Sequence, residues 1–426
     1  MNPYKSRLTD NLLIRKLKGK GAVLIEGPKW CGKTTSAEQV SKSILYMSKP
    51  EDVQANLIAA DINPSKLLDG DTPRLIDEWQ IAPKLWDAVR FEVDHRNKQG
   101  QFILTGSAVP PKDDEIYHTG TGRFARLLMR PMSLFESGES SGKISLKYLF
   151  DQPEKILAEN PLDDMERLAF TICRGGWPGA IDMDYDTALD QAYDYYDSLV
   201  NIDISRVDDV KRDSERTKRL MKSYARNQGT QATYTVLRDD IAANEAEKIT
   251  EDTVYSYTNA LRKIFVIEDM PAWNPNIRSK TAIRTSDTRY FIDSSLATAS
   301  LGLGPSDLIK DLNTMGLLFE TMCVRDLRIY AESLDGKVYH YRDKSGLECD
   351  AVVHLRNGSF GLIEIKLGGD HLIEEGATSL KKLSAKIDTT KMKEPSFLMV
   401  LTGFGKFAYR REDGVYVVPI GCLGAI

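Results

Sequence analysis

The chain has 426 residues, 28% of them charged and 42% hydrophobic, with a formal net charge of −5 at pH 7. That length suits two or three domains, each able to bury a core. The acid excess excludes a globally basic surface, so any nucleic-acid contact must come from local patches. Cysteines at 31, 173, 323, 349 and 422 show no metal-site spacing and read as reduced thiols, not a disulfide framework. The opening stretch, "MNPYKSRLTDNLLIRKLKGKG", lacks the apolar core of a signal peptide. No run approaches the ~20 apolar residues of a membrane span. The expectation is a cytoplasmic protein with no membrane partner.

The first strong element is the apolar run "AVLIE", which predicts a strand, followed by "GPKWCGKTT" and the helix-like "TTSAEQVSKSI". Gly27, Gly32, Lys33 and Thr34 fit the phosphate-binding loop pattern, and strand–loop–helix is the context that pattern requires. The whole stretch, Gly27, Pro28, Lys29, Trp30, Cys31, Gly32, Lys33, Thr34 and Thr35, is expected to hold ATP or ADP. Its backbone N–H groups would curl around the phosphates, helped by the helix N-terminus. Lys33 would reach the β/γ oxygens, and the Thr34 hydroxyl would bind Mg2+. A second strand, "SILYMS", precedes "PRLIDEWQ", an apolar run ending in Asp77 and Glu78. Asp77 is expected to hold Mg2+ through water and Glu78 to polarise the attacking water.

The strand "QFILTGSA" ends in Thr105 and Ser107, where a hydroxyl would contact the γ-phosphate or the water, or cap the turn. In "GTGRFARLLMRPMSLFE", Arg123 follows a glycine-bearing run suited to an arginine that meets phosphate in its own chain or in a neighbouring subunit. Arg126 and Arg130 compete for that role. Together these pieces resemble the AAA-type ATPases of bacteria and archaea whose C-terminal half is a domain of unknown function. "GPKWCGKTT", "LIDEWQ", "FILTGSA", "TGRFARLLMRPMSLFE" and "GGWPGAI" carry the resemblance. It implies a parallel sheet in which the Ser107 strand separates the Glu78 strand from the loop strand.

From about 145 to 210 the sequence reads as helices with an acidic, tyrosine-bearing face, interrupted by the glycine–proline turn "RGGWPGA" around Trp177, expected at an inter-domain seam. Between 214 and 275, "ERTKRLMKSYARNQG", "TYTVLRDDIAAN" and "TEDTVYSYTNALRKIFVI" predict three helices, Gly229 and Thr250 marking a helix end and a start. A strand pair follows, "FVIEDMPAWNP" and "RYFID". Three helices and a hairpin describe a winged helix. Its recognition helix exposes Glu251 and Asp252, a poor phosphate surface. The wing, with Arg278, Lys280, Arg284 and Arg289, is the better DNA contact; a protein partner is the alternative.

The last quarter opens with the helix "TMGLLFETMCVRDLRIYAE", in which Glu320 shares a stripe with Leu317, Val324 and Leu327. Strands follow in "KVYHYRDKSGLECDAVVHL" and "SFGLIEIKLG", the first carrying Asp350, the second Glu364 and Lys366 on one face. Acids there would hold Mg2+ or Mn2+ through Asp350 and Glu364, and Lys366 would orient or deprotonate water for phosphodiester attack. This constellation resembles the restriction-endonuclease-like fold, with Glu320 as its helix acid and Cys349 where a proline is usual. The expected fold class is α/β: an AAA-type ATPase domain over 1–140, a helical connector and winged helix over 141–300, and a restriction-endonuclease-like domain over 301–426. The expected function is Mg2+-dependent ATP hydrolysis coupled to action on nucleic acid. The alternative is a nucleotide-gated protein-interaction module with an inactive nuclease-like domain. Arg123 hints at an oligomer.

Overall fold

The computed structural model describes residues 3–106, 120–208, 210–242, 249–275 and 286–426. The chain divides into two compact units. One comprises Met1–Pro131 with Asn201–Arg212 and Asn259–Val266; the other comprises Met132–Val200, Asp213–Thr258 and Ile267–Ile426. Among the described residues no helix is long and apolar enough to cross a membrane.

The first unit is built on strands β1 (Ala22–Glu26), β2 (Ser43–Tyr46), β3 (Arg74–Asp77), β4 (Phe102–Gly106) and β5 (Phe124–Leu128). They form a parallel sheet in the order β2-β3-β4-β1-β5. A parallel sheet is buried on both faces, and β1 shows how alternation supplies two cores. Ala22 and Leu24 enter the cluster of Trp79, Leu85, Trp86 and Val89. Val23 and Ile25 face Leu12, Leu13 and Leu17. Those leucines belong to a helix, Leu8–Gly19, that the reading of the N-terminus did not identify.

The second unit contains β6 (Ile144–Ser145), β7 (Leu157–Glu159), β8 (Gly336–Arg342), β9 (Glu348–Leu355), β10 (Phe360–Lys366), β11 (Phe397–Thr402), β12 (Phe407–Arg410), β13 (Tyr416–Pro419) and β14 (Leu423–Gly424). Its main sheet runs β7-β12-β13-β11-β10-β9-β8, while β6 pairs with β14. The helix Leu312–Ser333 precedes β8, and the helix Asp370–Lys386 joins β10 to β11. The stretch from 145 to 210 is therefore not helical throughout, because β7 completes the main sheet by pairing with β12. Trp177 belongs to the second compact unit. It is buried inside this unit, its Nε1 donating to Ser295 Oγ at 2.9 Å and its ring edge-on to Tyr195.

The middle stretch supplies the helices Ser214–Arg226, Tyr234–Ala242 and Glu251–Lys263. Antiparallel pairing follows: Ile267 with Phe291 and Met270 with Thr288. Gly229 N donates to Arg289 O, and Arg289 N donates to Thr230 O, adding a further extended segment to that pairing.

Candidate functional site

The phosphate-binding loop leaves β1 at Glu26 and runs into the helix Lys33–Glu38. Gly27 has φ 152°, and a Cβ there would lie 2.1 Å from the carbonyl oxygen of Met129. Only glycine lets the loop pass that close to the strand end. Gly32 (φ 96°) and Trp30 (φ 63°) complete the curl, with Trp30 exposed and Cys31 buried. Cys31 Sγ also donates to Met129 O, at 3.4 Å.

Lys33 is buried and folded back on its own loop, its Nζ donating to Gly27 O at 3.0 Å and Pro28 O at 2.7 Å. These carbonyls hold the ammonium within the loop. Thr34 Oγ1 and Thr105 Oγ1 each donate to Asp77 Oδ1 at 2.7 Å. Sheet order causes this meeting, since β4 lies between β1 and β3 and all three strands end on the same side. A hydroxyl and a carboxylate at one point are the hard oxygen donors Mg2+ prefers, so Thr34 and Asp77 fit that ion. Glu78 follows in the left-handed region at φ 55°, its carboxylate held by a hydrogen bond from Gln80 Nε2. A Cβ on Gly106 would meet Gln80 Oε1 at 2.5 Å, so the β4 tip must be bare for Gln80 to lie there. Thr35, the third residue of the helix, is exposed. Ser107 lies outside the described residues.

Arg123 does not reach this site within its own chain. Its carbonyl accepts from Ala22 N, at the start of β1. The loop begins at the other end of that strand, four steps of about 3.3 Å away. Its side chain pairs with Asp94 at 2.9 Å beside a cavity of about 240 Å³. Arg126 pairs with Glu26 at 2.6 Å. Arg130 lies past the end of β5, on the loop side of the sheet. Arg7 is a residue the sequence reading missed. It is buried and donates to Cys31 O and Arg130 O, both at 2.8 Å, tying the loop to the segment after β5. Tyr4 adds a second tie, its hydroxyl 2.8 Å from Ser36 Oγ. The leucine stripe of the following helix was a usable signal, whereas nothing local marked Arg7.

In the second unit, β9 and β10 bring Asp350, Glu364 and Lys366 together. Lys366 Nζ lies 2.9 Å from Glu364 Oε2 and 3.9 Å from Asp350 Oδ2, which also accepts from Ile365 N at 2.7 Å. Burial, the neighbouring Asp350 and the lysine's own engagement decide the protonation here. Burial raises Asp350, and burial with the Asp350 charge raises Glu364 well above the usual carboxylate range. Burial would lower Lys366, but the two carboxylates outweigh it and raise it. Glu320 is pushed up to about 8, first by burial and then by Asp350. Its carboxylate accepts from the Tyr290 hydroxyl, and a Cβ on Gly229 would come within 2.9 Å of it. Leu317, expected on the same stripe, is exposed instead.

Tyr290 and Gly229 thus belong to this site although neither was singled out for it. They come from the helix-and-hairpin stretch, far from Glu320 in sequence. The cavity they share with Glu320, Glu348 and Asp350 measures about 30 Å³. Among the described residues no group of three or more His, Cys, Asp or Glu side chains is arranged to hold a metal ion. The expected Mg2+ or Mn2+ site at Asp350 and Glu364 finds no support, because the Lys366 ammonium already lies against both acids. Cys349 is buried, its thiol donating to Ile363 O at 3.3 Å.

The wing is corrected in part. Arg289 is buried, paired with Asp269 at 2.7 Å and bonded to Ala232 O at 2.9 Å, so it offers nothing to a phosphate. Arg278, Lys280 and Arg284 lie outside the described residues. Glu251 is engaged by Thr235 and Arg238.

Three families match successive stretches: the AAA domain over residues 19–137, a domain of unknown function (DUF8612) over 165–307, and another (DUF4143) over 315–423. No curated protein matches the chain. Solved structures similar to it include the Walker-type ATPase of Pyrococcus abyssi, at 16% identity over 70% of this chain and 96% of that one, with a TM-score of 0.42. Another is a signal-transduction ATPase of the STAND type with a tetratricopeptide-repeat sensor, from Pyrococcus horikoshii. It is 12% identical over 78% of this chain and 53% of that one, with a TM-score of 0.26. At those scores neither carries an argument about this chain. Residues 19–137, with their parallel sheet and phosphate-binding loop, form an AAA-type P-loop domain.

Proposed function

We propose that the protein binds ATP with Mg2+ and hydrolyses it in the N-terminal domain, coupling this to its C-terminal modules. The observation that carries the reading is the contact of Thr34 and Thr105 with Asp77 beside Lys33. Thr34 and Asp77 would hold Mg2+, which would supply neutralisation of phosphate charge. Lys33 would leave the loop carbonyls for phosphate oxygens. Glu78, held by Gln80, would accept a proton from the attacking water. ATP turnover by the full chain, compared with Glu78→Gln, tests the reading; no turnover beyond a Lys33→Ala control would overturn it.

The three helices and antiparallel pairing of the middle stretch support a winged helix. The β9–β10 acids with Lys366 support a restriction-endonuclease-like fold, for which nucleic acid would be the partner. A second reading, an interaction module whose nuclease-like site is inactive, is favoured by a specific observation. The acids there are already engaged by Lys366 and Tyr290 beside a small cavity of about 30 Å³. Salt dependence of DNA binding separates the two, because phosphate contacts release counterions and steepen the slope.

A further inference from the structure

Both lysines of the phosphate-binding loop are engaged by acceptors, but in different ways. Lys33 is held by carbonyls of the loop itself. Lys29 turns out of the loop, and its Nζ lies 2.6 Å from Asp203 Oδ1, with the lysine side chain 45% exposed and the aspartate 11%. Asp203 opens the turn Asp203–Arg206, within the stretch Asn201–Arg212 by which the chain passes from the helix Tyr185–Asn201 to the helix Ser214–Arg226. Ile204 and Val207 are buried on that stretch, and Arg212 pairs with Asp208 at 2.6 Å. The connecting stretch is thus packed on apolar anchors, and one ion pair ties it to the loop that receives phosphate.

We infer that Asp203 and the terminal phosphate of ATP compete for Lys29, so that nucleotide arrival unties the connecting stretch from the loop. The inference rests on the nucleotide reading above. An exposed ion pair is weak, and a triphosphate in the loop places more negative charge near Lys29 than one carboxylate does. The loop N–H groups and the helix N-terminus surround the inner phosphates. An ammonium that points out of the loop is left to meet the outermost one. Lys33 changes partners without disturbing anything beyond its own loop, whereas Lys29 cannot change partners without releasing Asp203.

The test measures binding of AMP-PNP and of ADP to the full chain by calorimetry. Asp203→Asn removes the competitor and should tighten AMP-PNP binding about two- to five-fold, the size an exposed ion pair can contribute, while ADP binding changes little. Lys29→Ala should weaken AMP-PNP binding, and adding Asp203→Asn to it should have no further effect. In the wild type, AMP-PNP should speed amide hydrogen exchange in 201–208 and ADP should not. AMP-PNP affinity unchanged or weakened in Asp203→Asn, or exchange in 201–208 indifferent to AMP-PNP, would overturn the competition while leaving nucleotide binding standing. A wild type that binds neither nucleotide would remove the nucleotide reading, and this proposal with it.

Discussion

The two charged sites solve opposite electrostatic problems. In the N-terminal site the backbone and Lys33 present positive charge in a loop shaped by Gly27 and Gly32, with provisional partners that an anion can replace. In the C-terminal site three acids converge, and the protein supplies the compensation itself through Lys366, Tyr290 and raised carboxyl pKa values. A site that borrows carbonyls is poised for a ligand. One that neutralises its own charge stands complete without it.

That contrast is open to direct attack. The largest effect is expected from Lys33→Ala, which should abolish detectable ATP binding in calorimetry while the melting temperature stays near wild type. Retained affinity would mean the loop does not work through this ammonium. Next in size, Glu78→Gln should keep ATP and Mg2+ binding but lower turnover by about 10²–10⁴-fold, the usual contribution of a general base. Wild-type turnover in a steady-state assay would reduce Glu78 to a structural residue.

A smaller change should follow from Lys366→Ala, which leaves the acids without their ammonium. A fully buried pair broken on one side costs ~3–5 kcal/mol, and partial exposure of Lys366 should reduce that to about 1–3 kcal/mol. Mn2+ should then raise the melting temperature of the variant more than that of the wild type. Equal responses would show that the acids do not need the lysine. A further effect concerns pH. Glu320 has a folded pKa of about 8 against an ordinary 4.5. The stability it contributes is full below about pH 4.5 and is lost as pH rises through about 8. Melting should therefore fall across that window in the wild type, and less steeply in Glu320→Gln. Parallel profiles would remove Glu320 from the account.

Legibility in the sequence followed the range of the interactions. The loop and the Asp77–Glu78 strand end were readable because each depends on a run of contiguous residues or on a motif with known context, whereas the strand order came only from the family resemblance. The β9–β10 acids were readable from alternation, since Glu364 and Lys366 are two apart on one strand. Gly229 and Tyr290 were not, because a close approach to Glu320 is decided by how distant segments pack. Arg289 misled for the same reason: in a basic stretch it reads as solvent-facing, yet Asp269, Ala232 and Tyr234 enclose it. Arg123 lies away from the loop of its own chain; a glycine-bearing run does not say which end of a strand it flanks, and the neighbouring-subunit alternative stays open.

The short strand β7 bears on how this protein is made and how it can be divided. It pairs with β12 across some 250 residues of chain, and Ile144 meets Leu423 near the other end of the same span. Such non-local pairing is slow to close, so a chain emerging from the ribosome cannot finish its second unit until β12 and β14 are available. Cutting the protein at residue 301 would strip β7 from the sheet and leave β12 as a bare edge bearing exposed Phe407 and Tyr409. An uncovered apolar edge invites pairing with other chains. The C-terminal module is therefore best handled with residues 132–200 attached, since without them it is expected to aggregate.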